Sequence, residues 1–335
     1  MTTQRLRQII LISSILIFSA LTIHVWDYEM DDAFITFKYS ENLADGYGLV
    51  FNIDSDPIEG YSNFLWLLAL SMVFKLGGSI VLAAKIAGSL CFLLTGILWY
   101  KYFERDETKM NWLCGPLFLV CPITALWGVS GLELGLHSLL IAGLYMFALS
   151  RSRWMYVLLP FFLLSRPEAV AVAVVALGAL AWGDYRTGVN SRKYFTISIL
   201  VIAITVGALT LFRLEIFGYP LPNTFYAKTS HFYLLGFIEL GRMLLFFAPL
   251  TIGFIWFLVS SIKGRQDEGS SLVLAALFLT QAVITASVDP VQNFLFRYMI
   301  PVLPILILTA LSVLTKLIKP ESRRIALGAI SISLL

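Results

Sequence analysis

Residues 62–74, "SNFLWLLALSMVF", form an apolar run that ends at Lys75 and Gly77-Gly78, and whether it crosses a membrane decides the topology of everything that follows. The run is shorter than the roughly 20 apolar residues a helical span needs, so it reads as a helix lying in the interface. The remaining spans then fall near 9–26, 82–100, 111–129, 135–150, 154–166, 168–183, 194–212, 241–260, 271–288 and 298–315, with an eleventh starting at about 325. With this parity the basic clusters 101–109, 186–193 and 316–324 share the side of Arg5 and Arg7. If 62–74 spanned, all three would change sides. The excess of Lys and Arg on cytoplasmic loops selects the non-spanning reading.

Composition supports the class. Of 335 residues, 59% are hydrophobic and 13% charged, and the mean hydropathy is +0.83, which leaves too little polar surface to cover a soluble globule. The expectation is an all-α polytopic membrane protein with about 10–11 transmembrane helices, one catalytic domain over 1–335. It is placed in the plasma (inner) membrane with its N-terminus cytoplasmic. The net charge of +3 is small and its basic residues sit in short inter-span clusters, so membrane lipids are partners and nucleic acid is not. Cys91, Cys114 and Cys121 lie inside apolar runs with no histidine at ligand spacing and read as packing residues. The run 9–26 lacks a clear small-x-small cleavage site and reads as a retained signal anchor.

The same parity gathers Asp31, Asp32, Glu59, Glu133, Arg166, Glu168, Arg213, Lys228, Asp289 and Arg297 on the extracytoplasmic side. The first loop there, within 27–80, is strongly acidic, and a second, 213–240, reads as a substrate loop. Helical spacing of Phe34, Ile35, Tyr39 and Leu43 predicts a helix over 31–44, and Gly46, Gly48 and Pro57 break the chain into turns. Asp31 and Asp32 open that helix. One reading is an acid pair favouring the helix N-terminus. The other is a general base tuned by burial and by its neighbour.

The ordered segments "DDAFITFKYSENLADGYGLVFN" (31–52), "IEGYSNFLW" (58–66), "SGLE" (130–133), "SRPE" (165–168) and "FGYPLPNTFYAK" (217–228) resemble those of the GT-C membrane glycosyltransferases, in particular the branch of mycobacterial terminal arabinofuranosyltransferases. The resemblance covers roughly residues 5–300. It implies juxtamembrane helices in the first extracytoplasmic loop and a polyprenyl-phosphate-linked sugar donor, used where nucleotide sugars are absent. It also makes Asp31-Asp32 the acidic motif and Glu133 the acid of the second loop. Because the chain stops at Leu335 within an apolar run, a C-terminal region is expected beyond it.

Transfer from such a donor to an extracytoplasmic glycan, lipid or protein needs a base for the acceptor hydroxyl and cations for the leaving phosphate. Asp31 or Asp32 is the candidate base. Arg166, placed at a helix break before Pro167, is the first candidate for the phosphate, with Arg297 and Lys228 beside it; the alternatives are snorkelling arginines or a pair with Glu168. Glu59, Tyr61, Asn63, Glu133, Glu168, Asn223 and Tyr226 are candidates for sugar or acceptor hydroxyls, against plain turn, cap or interface-anchor roles. Asp54-Ser55-Asp56 reads as a solvated turn, and His24, His137 and His231 are too scattered for a metal site. No cofactor is specified, although the acidic loop is compatible with a divalent cation. A transporter or lipid-linked-sugar flippase is the rival class; it calls for ionisable groups near mid-membrane, whereas the charges here lie at span ends.

Overall fold

The computed structural model describes residues 3–105, 109–223, 226, 234–262, 268–288, 290–317, 327–328, 330–331 and 334. The described residues are helical and contain no strand, as lipid requires of a chain that must satisfy its own backbone. Helix α1 spans Thr3–His24, α2 Asp31–Ala44, α3 Phe64–Lys75, α4 Ile80–Phe103, α5 Cys114–Val120, α6 Pro122–Val129 and α7 Leu134–Leu149. Then follow α8 Met155–Ser165, α9 Ala169–Thr187, α10 Arg192–Phe217, α11 Leu234–Phe246, α12 Ala248–Ile262, α13 Glu268–Ala286 and α14 Leu303–Leu317.

The deciding run 62–74 is α3, which at 12 residues and about 1.5 Å per residue is too short to cross. It pairs with α2, the helix expected over 31–44. On α2, Phe34 and Ile35 are exposed, while Ala33, Thr36, Phe37, Tyr39, Ser40 and Asn42 are buried. Ser40 Oγ donates to the Leu67 carbonyl at 3.1 Å, so small and hydroxylated residues make the close helix contact.

Among the described residues six helices are long and apolar enough to cross a membrane, eight if each bent pair is one span. The ten expected spans coincide with these and with α7 and α8, which are shorter at 16 and 11 residues. The eleventh lies largely outside the described residues. Two expected spans are broken. At 111–129 the axis turns by 60° between α5 and α6, because Pro122 offers no N–H and holds Cys121 extended at φ −70°, ψ 118°. At 241–260 the bend between α11 and α12 is 100°, with Pro249 in the first turn of α12.

At the centre α4 packs on α7 with backbone nearly touching backbone. A Cβ added at Gly135 would lie 2.3 Å from the Gly88 carbonyl oxygen, the small-residue approach by which membrane helices associate. Around this pair stand α1, α5 and α6 on one side, α8 on another, and α9 with α13 beyond. The first turns of α2, α3, α4 and α7, the end of α8 and the segment before α14 meet at one end of the bundle, and the candidate site lies there.

Candidate active site

Asp31 and Asp32 form the first turn of α2, but they face different surroundings. Asp31 is exposed and its Oδ1 accepts the Asp32 backbone N–H at 2.9 Å. Asp32 is half-buried and its Oδ2 accepts from Arg297 Nη1 at 2.5 Å. The two residues of that ion pair are separated by 265 positions in sequence.

Arg297 is held inward by an unusual backbone. Leu295 and Phe296, just before it, sit at φ 42° and 59°, which costs non-glycine residues about 1–2 kcal/mol each. The Leu295 carbonyl accepts from Trp127 Nε1 at 3.2 Å, and Asn293 Oδ1 accepts from the Tyr298 N–H at 3.1 Å. Arg297 Nε, buried, has no hydrogen-bond partner.

Beneath this pair lies a second charged group. Arg166 follows the last turn of α8 in extended conformation, φ −159°, ψ 151°, as the following proline requires. Its Nη1 pairs with Glu133 and its Nε with Glu168, all largely buried. Glu133 opens α7 without capping it; its other oxygen accepts from Asn63 Nδ2 at 2.7 Å, and Asn63 Oδ1 accepts from Thr36 at 3.1 Å. Burial pushes the Glu133 carboxyl upward, but Arg166, Arg297 and the Asn63 bond outweigh it and hold the group below the usual carboxylate range. The Tyr298 ring lies between the two guanidiniums, 5.0 Å from that of Arg166 and 5.8 Å from that of Arg297.

A third pair ties the first loop to α10. Glu59 takes both Nε and an Nη of Arg213 at 2.8 and 3.0 Å, a fork-on-carboxylate contact. Tyr61 is buried beside it among Tyr39, Phe64 and Phe217, its hydroxyl without a partner. Burial raises the Glu59 pKa and Arg213 opposes the rise. Arg213→Met is therefore expected to cost about 3 kcal/mol near neutral pH, since it strands a buried carboxylate. A carboxyl raised by burial is stable when protonated, so the loss should shrink as pH falls through its folded pKa. Thermal unfolding in detergent at two pH values checks this; an equal loss at both would refute it.

Of the residues singled out in the sequence, Asp32, Arg297, Glu133, Arg166, Glu168 and Asn63 come together in one network. Asp31 borders it, and Glu59 with Tyr61 lies alongside against α10. Asn223 and Tyr226 are exposed, Tyr226 with its ring 6.2 Å from that of Tyr219. Lys228 and Asp289 lie outside the described residues. Among the described residues no three of His, Cys, Asp and Glu gather to hold a metal ion.

Sequence reading passed over three contributors. Tyr298 was visible only as a neighbour of Arg297. Lys85, a lone charge within the apolar run of α4, donates to the Trp26 carbonyl at 2.7 Å and pairs with Glu29 at 2.9 Å. It thereby fixes the turn that delivers α2, and a lysine inside a span was a readable signal. His137 lies one turn beyond Glu133, its Nδ1 2.8 Å from Ser165 Oγ and its Nε2 buried without a partner. That Ser165 hydroxyl donates to the Phe162 carbonyl, so the imidazole proton sits on Nδ1.

An all-helical membrane bundle, its first loop folded into juxtamembrane helices and charged pairs at one end, is thus the class that the fold defines. No protein-family profile matches the chain, and no curated protein does. Two solved structures do. ArnT from Cupriavidus metallidurans bound to undecaprenyl phosphate superposes with a TM-score of 0.70 at 13% identity, over 99% of this chain and 64% of that one. The apo state of the same protein gives a TM-score of 0.62 at 14% identity, over 95% and 62%. The chain therefore spans less than two thirds of the length of these neighbours, and the likeness is one of fold.

Proposed function

We propose that this chain is a membrane glycosyltransferase of the GT-C type that moves a sugar from a polyprenyl-phosphate donor to an extracytoplasmic glycan, lipid or protein. The observation that carries the reading is the Asp32–Arg297 pair beside an exposed Asp31, in a fold shared with a protein bound to undecaprenyl phosphate. The basic loop clusters support a cytoplasmic N-terminus and a site on the opposite side.

In this scheme the acceptor hydroxyl oxygen attacks the anomeric carbon and the bond from that carbon to the phosphate oxygen breaks. The electron pair leaves with the polyprenyl phosphate, and the hydroxyl proton passes to Asp31, whose carboxylate is the accessible one. Arg297 faces the leaving phosphate, with Asp32 orienting its fork and its unpartnered Nε a further donor. Arg166 is occupied by two carboxylates and acts as the frame behind Tyr298 and Arg297, with Glu133, Asn63 and Glu168 as positioning residues. Glu59 and Tyr61 anchor the first loop, while Asn223, Tyr226 and Lys228 belong to a loop that meets the acceptor.

Membranes containing the protein, given a panel of radiolabelled polyprenyl-phosphate sugars that includes arabinofuranose, should transfer label from at least one donor. Transfer should not occur from the matching nucleotide sugar. A panel in which every lipid donor is inert with folded protein would sink the reading.

A further inference from the structure

We infer that Gln281, in the last turns of α13, is a positioning residue that holds Arg297 where it meets Asp32. The role given to Arg297 rests on the function proposed above; the grip of Gln281 does not. Gln281 interrupts a mostly apolar stretch, "LFLTQAVITA" (277–286), and is 1% exposed. A polar side chain buried within a span is costly unless paired. Here only half of it is paired: Nε2 donates to the Tyr298 carbonyl at 2.9 Å, while Oε1 has no hydrogen-bond partner among the described residues. An apolar side chain would leave no stranded acceptor, so what the glutamine adds at this position is its hold on Tyr298.

The segment around Tyr298 needs such a hold. Asn293, Phe294 and Leu295 depart from helical geometry, and Leu295 and Phe296 are left-handed without being glycine. Such a conformation persists only where surrounding contacts over-determine it. Side chains from two helices supply them. Trp127 of α6 donates to the Leu295 carbonyl and Gln281 of α13 to the Tyr298 carbonyl, so the backbone is gripped on both sides of Arg297. Asn293, within the segment, accepts the Tyr298 N–H, which fixes Tyr298 at its N–H as well as at its carbonyl.

Asp32 belongs to α2, so the Asp32–Arg297 pair joins α2 to a segment whose place is set by α6 and α13. Removal of the Gln281 donor leaves the Tyr298 carbonyl buried and unmatched, and the segment relaxes toward the right-handed backbone that Leu295 and Phe296 prefer. Arg297 then withdraws from Asp32 and from the leaving phosphate, while the exposed Asp31 is untouched. The expected signature is weaker binding of the phosphate-bearing lipid with the chemical step little changed.

Gln281→Met keeps the volume and removes the donor. In the purified full chain in detergent, Asp32→Asn should lower the melting temperature less than about half as much in the Gln281→Met background as in the wild type, because the pair is already loosened. This comparison needs no substrate. Undecaprenyl phosphate should bind Gln281→Met about tenfold more weakly than the wild type, the weight of one hydrogen bond. The Michaelis constant of a working lipid donor should rise by a similar factor, with kcat within about twofold. Trp127→Phe, which keeps a ring and removes the other donor, should repeat the pattern and serves if Gln281→Met fails to fold. If the wild type binds no undecaprenyl phosphate and transfers from no lipid donor, the proposed function fails, and the melting comparison alone upholds or overturns the inference. An Asp32→Asn shift as large in both variants as in the wild type, or a fall in kcat with an unchanged Michaelis constant, would overturn it.

Discussion

Asp31→Asn is expected to lower sugar transfer about a thousandfold with no loss of thermal stability, the typical weight of a general base removed from a proton-transfer step. The contrast between the two readouts gives the test its force. Asp31 is the first residue of α2 after its N-cap Met30, and an asparagine oxygen there can still accept the Asp32 N–H that Asp31 Oδ1 now accepts at 2.9 Å. If Asp31 only favoured the N-terminus of α2 by its charge, the rate would be unchanged and stability would fall by about 0.3–1 kcal/mol. Asp32→Asn should behave differently, because Arg297 loses its counter-charge; there both readouts fall, and the Michaelis constant for the lipid donor rises. Wild-type rates in Asp31→Asn, with the collapse confined to Asp32→Asn, would transfer the base assignment to Asp32.

The second large effect is structural. Arg166→Met leaves Glu133 and Glu168 facing each other in a buried site without the guanidinium that both now share, and should destabilise the protein by about 3–5 kcal/mol. The hydrophobic replacement keeps the volume, so the loss reports uncompensated charge and not a cavity. Adding Glu133→Gln to Arg166→Met should recover part of the loss, since the pair acts as one unit. Recovery would show in urea or thermal unfolding of the two variants side by side. Strict additivity of the two substitutions would show that the network is not energetically coupled. The Glu133 carboxyl is held below its ordinary range, so its contribution is present above the unfolded pKa and fades as pH falls through the folded one. The wild type should accordingly approach the Arg166→Met variant in stability only in acid.

Both experiments bear on residues that were readable in sequence as chemical types but not as partners. Arg166 was marked by the proline after it, and the structure gives it the extended backbone that Pro167 demands. Nothing local said that its fork would be filled by Glu133 and Glu168. Glu59, Tyr61 and Asn63 appeared as one motif, "EGYSN", yet they serve two neighbouring networks. Glu59 and Tyr61 turn toward α10, and Asn63 toward Glu133. Tyr298 carried no signal of its own, because its place between two guanidiniums depends on α8 and the segment before α14 arriving at the same depth.

The sequence alone determined that the chain is a helical membrane bundle, where its apolar runs begin and end to within a few residues, and that α3 is too short to cross. These properties are local: a span is a length of apolar chain, and a loop's side is a sum of nearby charges. Which of the apolar residues of α2 are covered is not local: Phe37 and Tyr39 are buried while Phe34 and Ile35 are exposed, because the neighbours that the helix meets decide it. Only the tertiary structure decided that Asp32 meets Arg297 and that Arg166 is shared by two carboxylates. Such pairings join residues from tens to hundreds of positions apart, and they follow from how helices cross and pack, which no single stretch of chain encodes.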